Sequence, residues 1–117
     1  MKKQYRVKKN QEIELILNEN IYAKNMYFSL FKRKNSETIH FRYAISVGKK
    51  IGNAVVRNKI KRQVISIIDN LNIKIDSNTD VFLIVKPKVL ELDYNSMKKQ
   101  IEYLLNKQKL LQGEKND

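Results

Sequence analysis

The first amphipathic segment of the chain runs from Lys8 to Asn20. Its apolar positions recur every three or four residues, at Ile13, Ile16, Leu17 and then Ile21. That spacing is the repeat of one face of an α-helix, and glutamates occupy the other faces. The pattern predicts a short first helix.

Two segments with strand character follow. Residues Tyr27–Phe31 are aromatic and apolar, and the polar stretch Lys32–Glu37 is typical of a turn. From Ile39 to Val47, apolar residues alternate with small or polar ones, as in a strand with one buried face. We therefore expect these two strands to form a hairpin.

The second half predicts two helices separated by a strand. Apolar residues between Ala54 and Leu71 cover about one third of a helical circumference, which predicts a long central helix. The nearly continuous apolar run within Asp80–Lys86 is typical of a central strand that is buried on both faces. A final helix is expected from about Tyr94, with Asp93 or Asn95 as its N-cap.

This order of elements predicts an α+β fold in which helices pack on one sheet. A chain of 117 residues is long enough for one domain and too short for two ordinary ones. We expect a single domain over residues 1–117, with an ordered core over about residues 5–112, and the sequence contains no internal repeat or linker.

Composition excludes several classes of protein. Cysteine is absent, which excludes disulfide frameworks and thiolate metal sites. No apolar run approaches the roughly 18 residues that cross a bilayer, and the basic start, Met1–Asn10, lacks the apolar segment of a secretory signal. The expectation is a cytoplasmic protein that does not enter a membrane.

The net charge of +12 predicts binding to a polyanion. Abundant Lys, Asn and Ile would also arise in an A+T-rich genome, so the distribution of charge decides between these readings. No acidic residue occurs between Glu37 and Asp69. The same window contains seven cations: Arg42, Lys49, Lys50, Arg57, Lys59, Lys61 and Arg62.

Most of these cations lie in the stretch GKKIGNAVVRNKIKR, Gly48–Arg62, where a glycine turn leads into the central helix. Arg57 and Lys61 lie one turn apart, and Asn58 and Arg62 form a second such pair. A solvated helix face would mix charges of both signs, whereas no carboxylate lies within reach here. We call the residues predicted to bind RNA the basic ledge. They are Lys49, Lys50, Asn53, Arg57, Asn58, Lys59, Lys61 and Arg62.

No constellation for catalysis is visible. His40 is the only histidine, and the acids at 69, 76, 80 and 93 lie scattered at element ends, where they favour caps and turns. Aromatic residues could include platforms for unpaired bases, although most are expected in the core. The aromatic candidates are Tyr5, Tyr27, Phe28, Phe31, Phe41 and Tyr43.

The stretch RYAISVGKKIGNAVVRNKIKR, Arg42–Arg62, resembles the signature segment of the protein components of bacterial ribonuclease P. The upstream YRVKKN, Tyr5–Asn10, is similar to that family's basic approach to its first helix. DVFLIVKP, Asp80–Pro87, is similar to its late strand. The resemblance covers nearly the whole chain.

The resemblance implies a fold and an assembly. The implied fold is an α+β sandwich like the second domain of ribosomal protein S5, with a left-handed βαβ crossover. The implied partners are the RNA subunit of ribonuclease P, with one protein per RNA, and precursor tRNA. The RNA would supply the active site, with Mg²⁺ held mainly by RNA and substrate, and would remove the 5′ leader as an endonuclease.

The resemblance also implies two binding regions. Arg57, Asn58 and Lys59 stand at the Arg-Asn-Arg motif that contacts the catalytic RNA, with Lys59 in place of the more usual arginine. The leader is implied to lie between the first helix and the sheet, where Ile13 and Leu17 replace aromatic residues and Leu30 stands where an aromatic strand residue is common. The full leader set is Lys8, Lys9, Asn10, Ile13, Leu17, Leu30, Arg42 and Ser46.

Two other classes of protein are alternatives to a ribonuclease P protein. A ribosomal or other structural RNA-binding protein would share the fold, the charge and the lack of catalytic groups, and only the Gly48–Arg62 match separates it. A basic DNA-binding module is the second rival, but no helix-turn-helix pair surrounds the central helix.

Overall fold

A computed structural model describes residues 5–7, 10–71 and 75–110. Single 3₁₀ turns occur at Lys49–Ile51 and Pro87–Glu91. The regular elements, in chain order, are α1 (Asn10–Glu19), β1 (Tyr22–Lys24), β2 (Phe28–Lys34), β3 (Arg42–Val47), α2 (Ala54–Leu71), β4 (Thr79–Val85) and α3 (Tyr94–Lys107). The three predicted helices are confirmed, and Asp93 is the N-cap of α3, since its side chain accepts a hydrogen bond from the Ser96 amide at 2.8 Å.

The four strands form one mixed sheet in the order β1-β2-β4-β3. β4 is antiparallel to β2 and parallel to β3, so β3, α2 and β4 form a βαβ unit. The α+β class and the central position of β4 are therefore confirmed. The handedness of the crossover stays a prediction.

The predicted hairpin between the second and third strands is wrong. β4 lies between β2 and β3, and the hairpin partner of β2 is β1. The structure also starts β3 at Arg42, three residues later than predicted, and Ile39 is 89% exposed. The sequence did not predict β1, because three residues are too few to establish an alternating pattern.

Helices cover both faces of the sheet. On one face, α2 and α3 pack over the main core, whose sheet side includes Phe28, Leu30, Tyr43 and Leu83. On the other face α1 packs over a smaller cluster centred on Ile16. Because strand side chains alternate between faces, each strand contributes every second residue to each layer. This two-sided arrangement leaves α2 and α1 on opposite surfaces of the molecule.

Within the described ranges, the helices are too short or too polar to cross a lipid bilayer.

Candidate nucleic-acid interface

The start of α2 is built by a turn that presents two lysines. Asn53 caps the helix, since its side-chain oxygen accepts from the Val56 amide at 3.0 Å. A side chain at Gly52 would place its Cβ 3.1 Å from the Cβ of Val56, so glycine permits this close approach. The preceding 3₁₀ turn leaves Lys49 and Lys50 exposed beside the first turn of α2.

The basic ledge comprises the turn before α2 and the solvent side of α2 itself. Ile60, Val64 and Ile67 are buried toward the sheet and set the helix orientation. The opposite side carries the exposed residues Asn58, Lys59, Lys61 and Arg62. The structure therefore brings together on one surface the residues that the sequence assigned to RNA binding.

Two members of the ledge also have structural contacts. The Arg57 Nε donates to the Gly52 carbonyl at 3.2 Å, which holds the guanidinium against the turn. The side-chain oxygen of Asn53 is occupied by its capping bond, so an RNA contact at Asn53 would use its amide NH₂ group. In the part of the chain that the structure describes, none of the ledge cations forms an ion pair with a carboxylate.

The predicted leader region lies on the other face, where α1 crosses the sheet. Ile13 and Phe31 are half-buried against the small cluster of Val7, Ile16 and Ala44. Leu17 on α1 and Ser46 on β3 are partly exposed on the same side. Asn10 is exposed at the start of α1, whereas Lys8 and Lys9 lie outside the described residues.

Leu30 is a wrong assignment. Only 1% of its surface is exposed, and it packs in the main core on the face opposite α1. Its neighbour Phe31 points to the α1 face instead. Because side chains alternate along a strand, the sequence indicates that Leu30 and Phe31 lie on opposite faces of the sheet. It does not indicate which of the two faces α1 covers. Phe31 is thus a candidate leader residue, although the sequence predicted it only as one of six aromatic residues that could stack on bases.

Arg42 has a structural role that the sequence did not reveal. Its Nε and Nη2 donate to Asp80 at 3.0 and 2.8 Å, and Asp80 is only 1% exposed. Glu12 on α1 lies 3.4 Å from the same guanidinium. The hydrogen bond to Asp80 is the main cause that raises the pKa of Arg42. Arg42 therefore joins β3, β4 and α1, and its side chain is only 16% exposed.

Beyond α1, the same sheet face continues to the β1 edge, which the sequence reading did not consider. Tyr22 is 44% exposed, and its ring centroid lies 5.1 Å from that of Phe31. The Lys24 ammonium lies 5.9 Å from the Tyr22 centroid, within cation–π range. Aromatic and basic groups therefore meet at this edge.

The acidic residues and the histidine do not cluster in the described part of the chain. The described residues contain no group of three or more His, Cys, Asp or Glu side chains placed to hold a metal ion. Burial and the 2.7 Å hydrogen bond that the Tyr43 hydroxyl donates to Asp69 raise the pKa of Tyr43. The hydroxyl therefore stays protonated and serves as a structural hydrogen-bond donor. His40 contacts the edge of the Tyr5 ring and its own chain at Phe41.

Comparison with known proteins decides the family. The family model described as Ribonuclease P matches residues 1–109. The chain belongs to the ribonuclease P protein family. The ribonuclease P protein component of Enterococcus faecalis is 37% identical over 111 residues, covering 95% of this chain and 94% of the relative. That of Bacillus cereus is 36% identical over 107 residues, covering 92% and 93%.

Solved ribonuclease P proteins share the fold. The Staphylococcus aureus ribonuclease P protein superposes with a TM-score of 0.85 at 32% identity, covering 92% of this chain and 97% of that one. The Thermotoga maritima ribonuclease P protein gives 0.78 at 29% identity, covering 87% and 96%. The chain is thus a protein subunit of the ribonuclease P holoenzyme, an RNA-binding tRNA-processing ribonucleoprotein, and its partners are the ribonuclease P RNA and precursor tRNA.

Proposed function

We propose that the two surfaces divide the work of this ribonuclease P subunit. The basic ledge on α2 binds the RNA subunit, and the cleft between α1 and the sheet binds the single-stranded 5′ leader of precursor tRNA. The RNA performs the cleavage. The observation that carries this proposal is a set of exposed cations on one helix that form no ion pair with a carboxylate in the described part of the chain.

The ledge suits a folded RNA because its groups are directed at phosphates. Arginine can hold a phosphate with two parallel hydrogen bonds, whereas lysine acts as a point charge. Arg62 is exposed and unpaired, and Arg57 keeps its terminal nitrogens available while Nε is bonded to Gly52. Lys59 preserves charge where the family more often has arginine, so this position contributes phosphate attraction without planar recognition.

The cleft suits an unpaired strand because it combines apolar and polar groups along α1. Ile13, Leu17 and Phe31 provide the apolar side, and Ser46 provides a hydroxyl on β3. Phe31 replaces Leu30 in the leader set. Aliphatic side chains at 13 and 17 cannot stack on a base as an aromatic ring does, so Phe31 contributes the main stacking surface on this side of α1.

Mg²⁺ is proposed to act through the RNA and the substrate. It would activate water and stabilise the leaving oxygen. The cations of this chain would reduce repulsion between the phosphates of the RNA subunit and of the substrate, which lowers the Mg²⁺ concentration needed for binding. We further propose one protein per RNA and a cytoplasmic location, as expected for tRNA processing in bacteria.

The test is cleavage of one labelled precursor tRNA by the protein, by the RNA and by their mixture, with protein freed of contaminating nucleases. The mixture should remove the 5′ leader at moderate Mg²⁺, the RNA alone should need more Mg²⁺, and the protein alone should cut nothing. Leader cleavage by the protein alone, abolished by His40→Ala, would overturn the assignment of catalysis to RNA.

A further inference from the structure

The face of the sheet under α1 extends past the helix toward the carboxyl end of β4. The strand register aligns Ser29 on β2, Ile84 on β4 and Ser46 on β3 in one row. Lys24 on β1 pairs with Ser29 and continues the row. Ser46, Ile84 and Lys24 keep access to solvent, whereas Ser29 on β2 is buried between its neighbours. The row therefore has solvent-accessible groups on β3, β4 and β1, on the same sheet face as the leader cleft.

Two lysines lie on this sheet face near the β1 end of the row. Lys86 follows Ile84 by two residues and lies on the same face, and its ammonium donates to the Asn25 carbonyl at 2.6 Å. Burial lowers the pKa of Lys86, and the nearby charge of Lys24 lowers it further. In the described part of the chain neither ammonium has a carboxylate partner. An anion placed between them would relieve this repulsion.

Tyr22 lies beside Lys24, whose ammonium is 5.9 Å from the centroid of the Tyr22 ring. Its ring packs at 34° to Phe31, and nearly half of its surface is exposed, so one part of the ring is supported while another is free. Aromatic rings of this kind stack on unpaired bases with little regard to base identity. A phosphate-binding pair beside a stacking ring matches the repeating chemistry of single-stranded RNA.

We infer that Tyr22, Lys24 and Lys86 form a distal subsite for the 5′ leader, with a base on Tyr22 and its phosphate at the two ammonium groups. This inference rests on the proposed leader cleft and extends it. Three strand spacings of about 4.8 Å separate Ser46 from Lys24, a span of roughly 14 Å. A leader bound at Ser46 therefore reaches the subsite only if it is long enough to span that distance.

The experiment measures affinity of the assembled holoenzyme for precursor tRNAs whose leaders lengthen one nucleotide at a time. For the unaltered protein, affinity should rise once the leader passes Ser46 and rise again when it reaches Lys24. The double variant Tyr22→Leu/Lys24→Ala should lose only the second rise, about fivefold or more. Lys24→Glu should lose it as well, because its carboxylate would occupy the place of the phosphate.

A matched control exists on α3, where the Lys107 ammonium lies 5.8 Å from the Tyr103 ring centroid. Tyr103→Leu/Lys107→Ala removes a similar exposed pair and should leave both rises unchanged. The distal subsite is disproved if the Tyr22→Leu/Lys24→Ala holoenzyme retains the second rise, or loses affinity equally for the shortest leaders. If the unaltered holoenzyme shows no dependence on leader length at all, the proposed leader cleft itself fails.

Discussion

Arg42 and Asp80 face each other across the β3–β4 register and form a two-bond ion pair. Asp80 is buried, and its Oδ2 also accepts a hydrogen bond from the side-chain Nδ2 of Asn35 at 2.9 Å. The pair therefore connects β3 to β4 and to the β2–β3 loop. Arg42, which the sequence assigned to leader binding, therefore stabilises the sheet.

Replacing Arg42 should destabilise the protein more than it alters substrate contacts. Arg42→Ala leaves the Asp80 carboxylate buried without its cation, so the free energy of unfolding should fall by about 3 kcal/mol in urea titrations. Glu12→Gln removes only the longer, more exposed contact and should cost less than about 1 kcal/mol. Equal stability of Arg42→Ala and the unaltered protein would contradict the structural role.

Replacing the arginines of the basic ledge should weaken assembly with the RNA subunit. Arg57→Ala and Arg62→Ala should each cost roughly 1 to 3 kcal/mol in binding, because each removes charge-assisted hydrogen bonds to phosphate. Arg62→Ala should leave the melting temperature unchanged, whereas Arg57→Ala should lose up to about 1 kcal/mol of stability with its bond to Gly52. Lys107→Ala, on α3, is the control for nonspecific loss of charge. A drop in stability for Arg62→Ala that matches its drop in affinity would make the residue structural.

Binding to the RNA subunit should depend strongly on salt. If about five phosphates are neutralised, the binding constant should fall by about two to three decades between about 50 and about 200 mM monovalent salt. Filter binding or fluorescence anisotropy over that range measures the slope. A nearly flat dependence would show that the exposed cations of the ledge do not contact phosphates.

An aromatic residue restored to α1 should strengthen leader binding, whereas one placed at 30 should damage the core. Leu17→Phe adds a ring on the partly exposed side of α1, and the gain from a long leader should increase by up to about 1 kcal/mol. Leu30→Tyr inserts a larger polar side chain among fully buried neighbours and should lower stability by about 1 to 3 kcal/mol. Leader affinity and urea unfolding of both variants measure these effects. Improved leader binding by Leu30→Tyr at full stability would reverse the assignment of faces.

The sequence by itself determined the helices and the basic ledge. Helix periodicity is local, so the apolar stripe between Ala54 and Leu71 located α2 and placed Arg57 and Arg62 on its solvent side. The capping role of Asp93 was likewise readable, since a cap contacts amides only a few residues away. The same local signals, with the motif Arg42–Arg62, were sufficient to indicate the family.

Only the tertiary structure decided the strand partners and the composition of the cleft. β2 and β3 are neighbours in sequence, but β4 separates them because pairing is set by packing between distant segments. The same packing put Leu30 in the core and Phe31 toward α1. A strand reverses the direction of its side chains at every residue, so a shift of one position changes the face, and only the helices packed on each side define which face is the cleft.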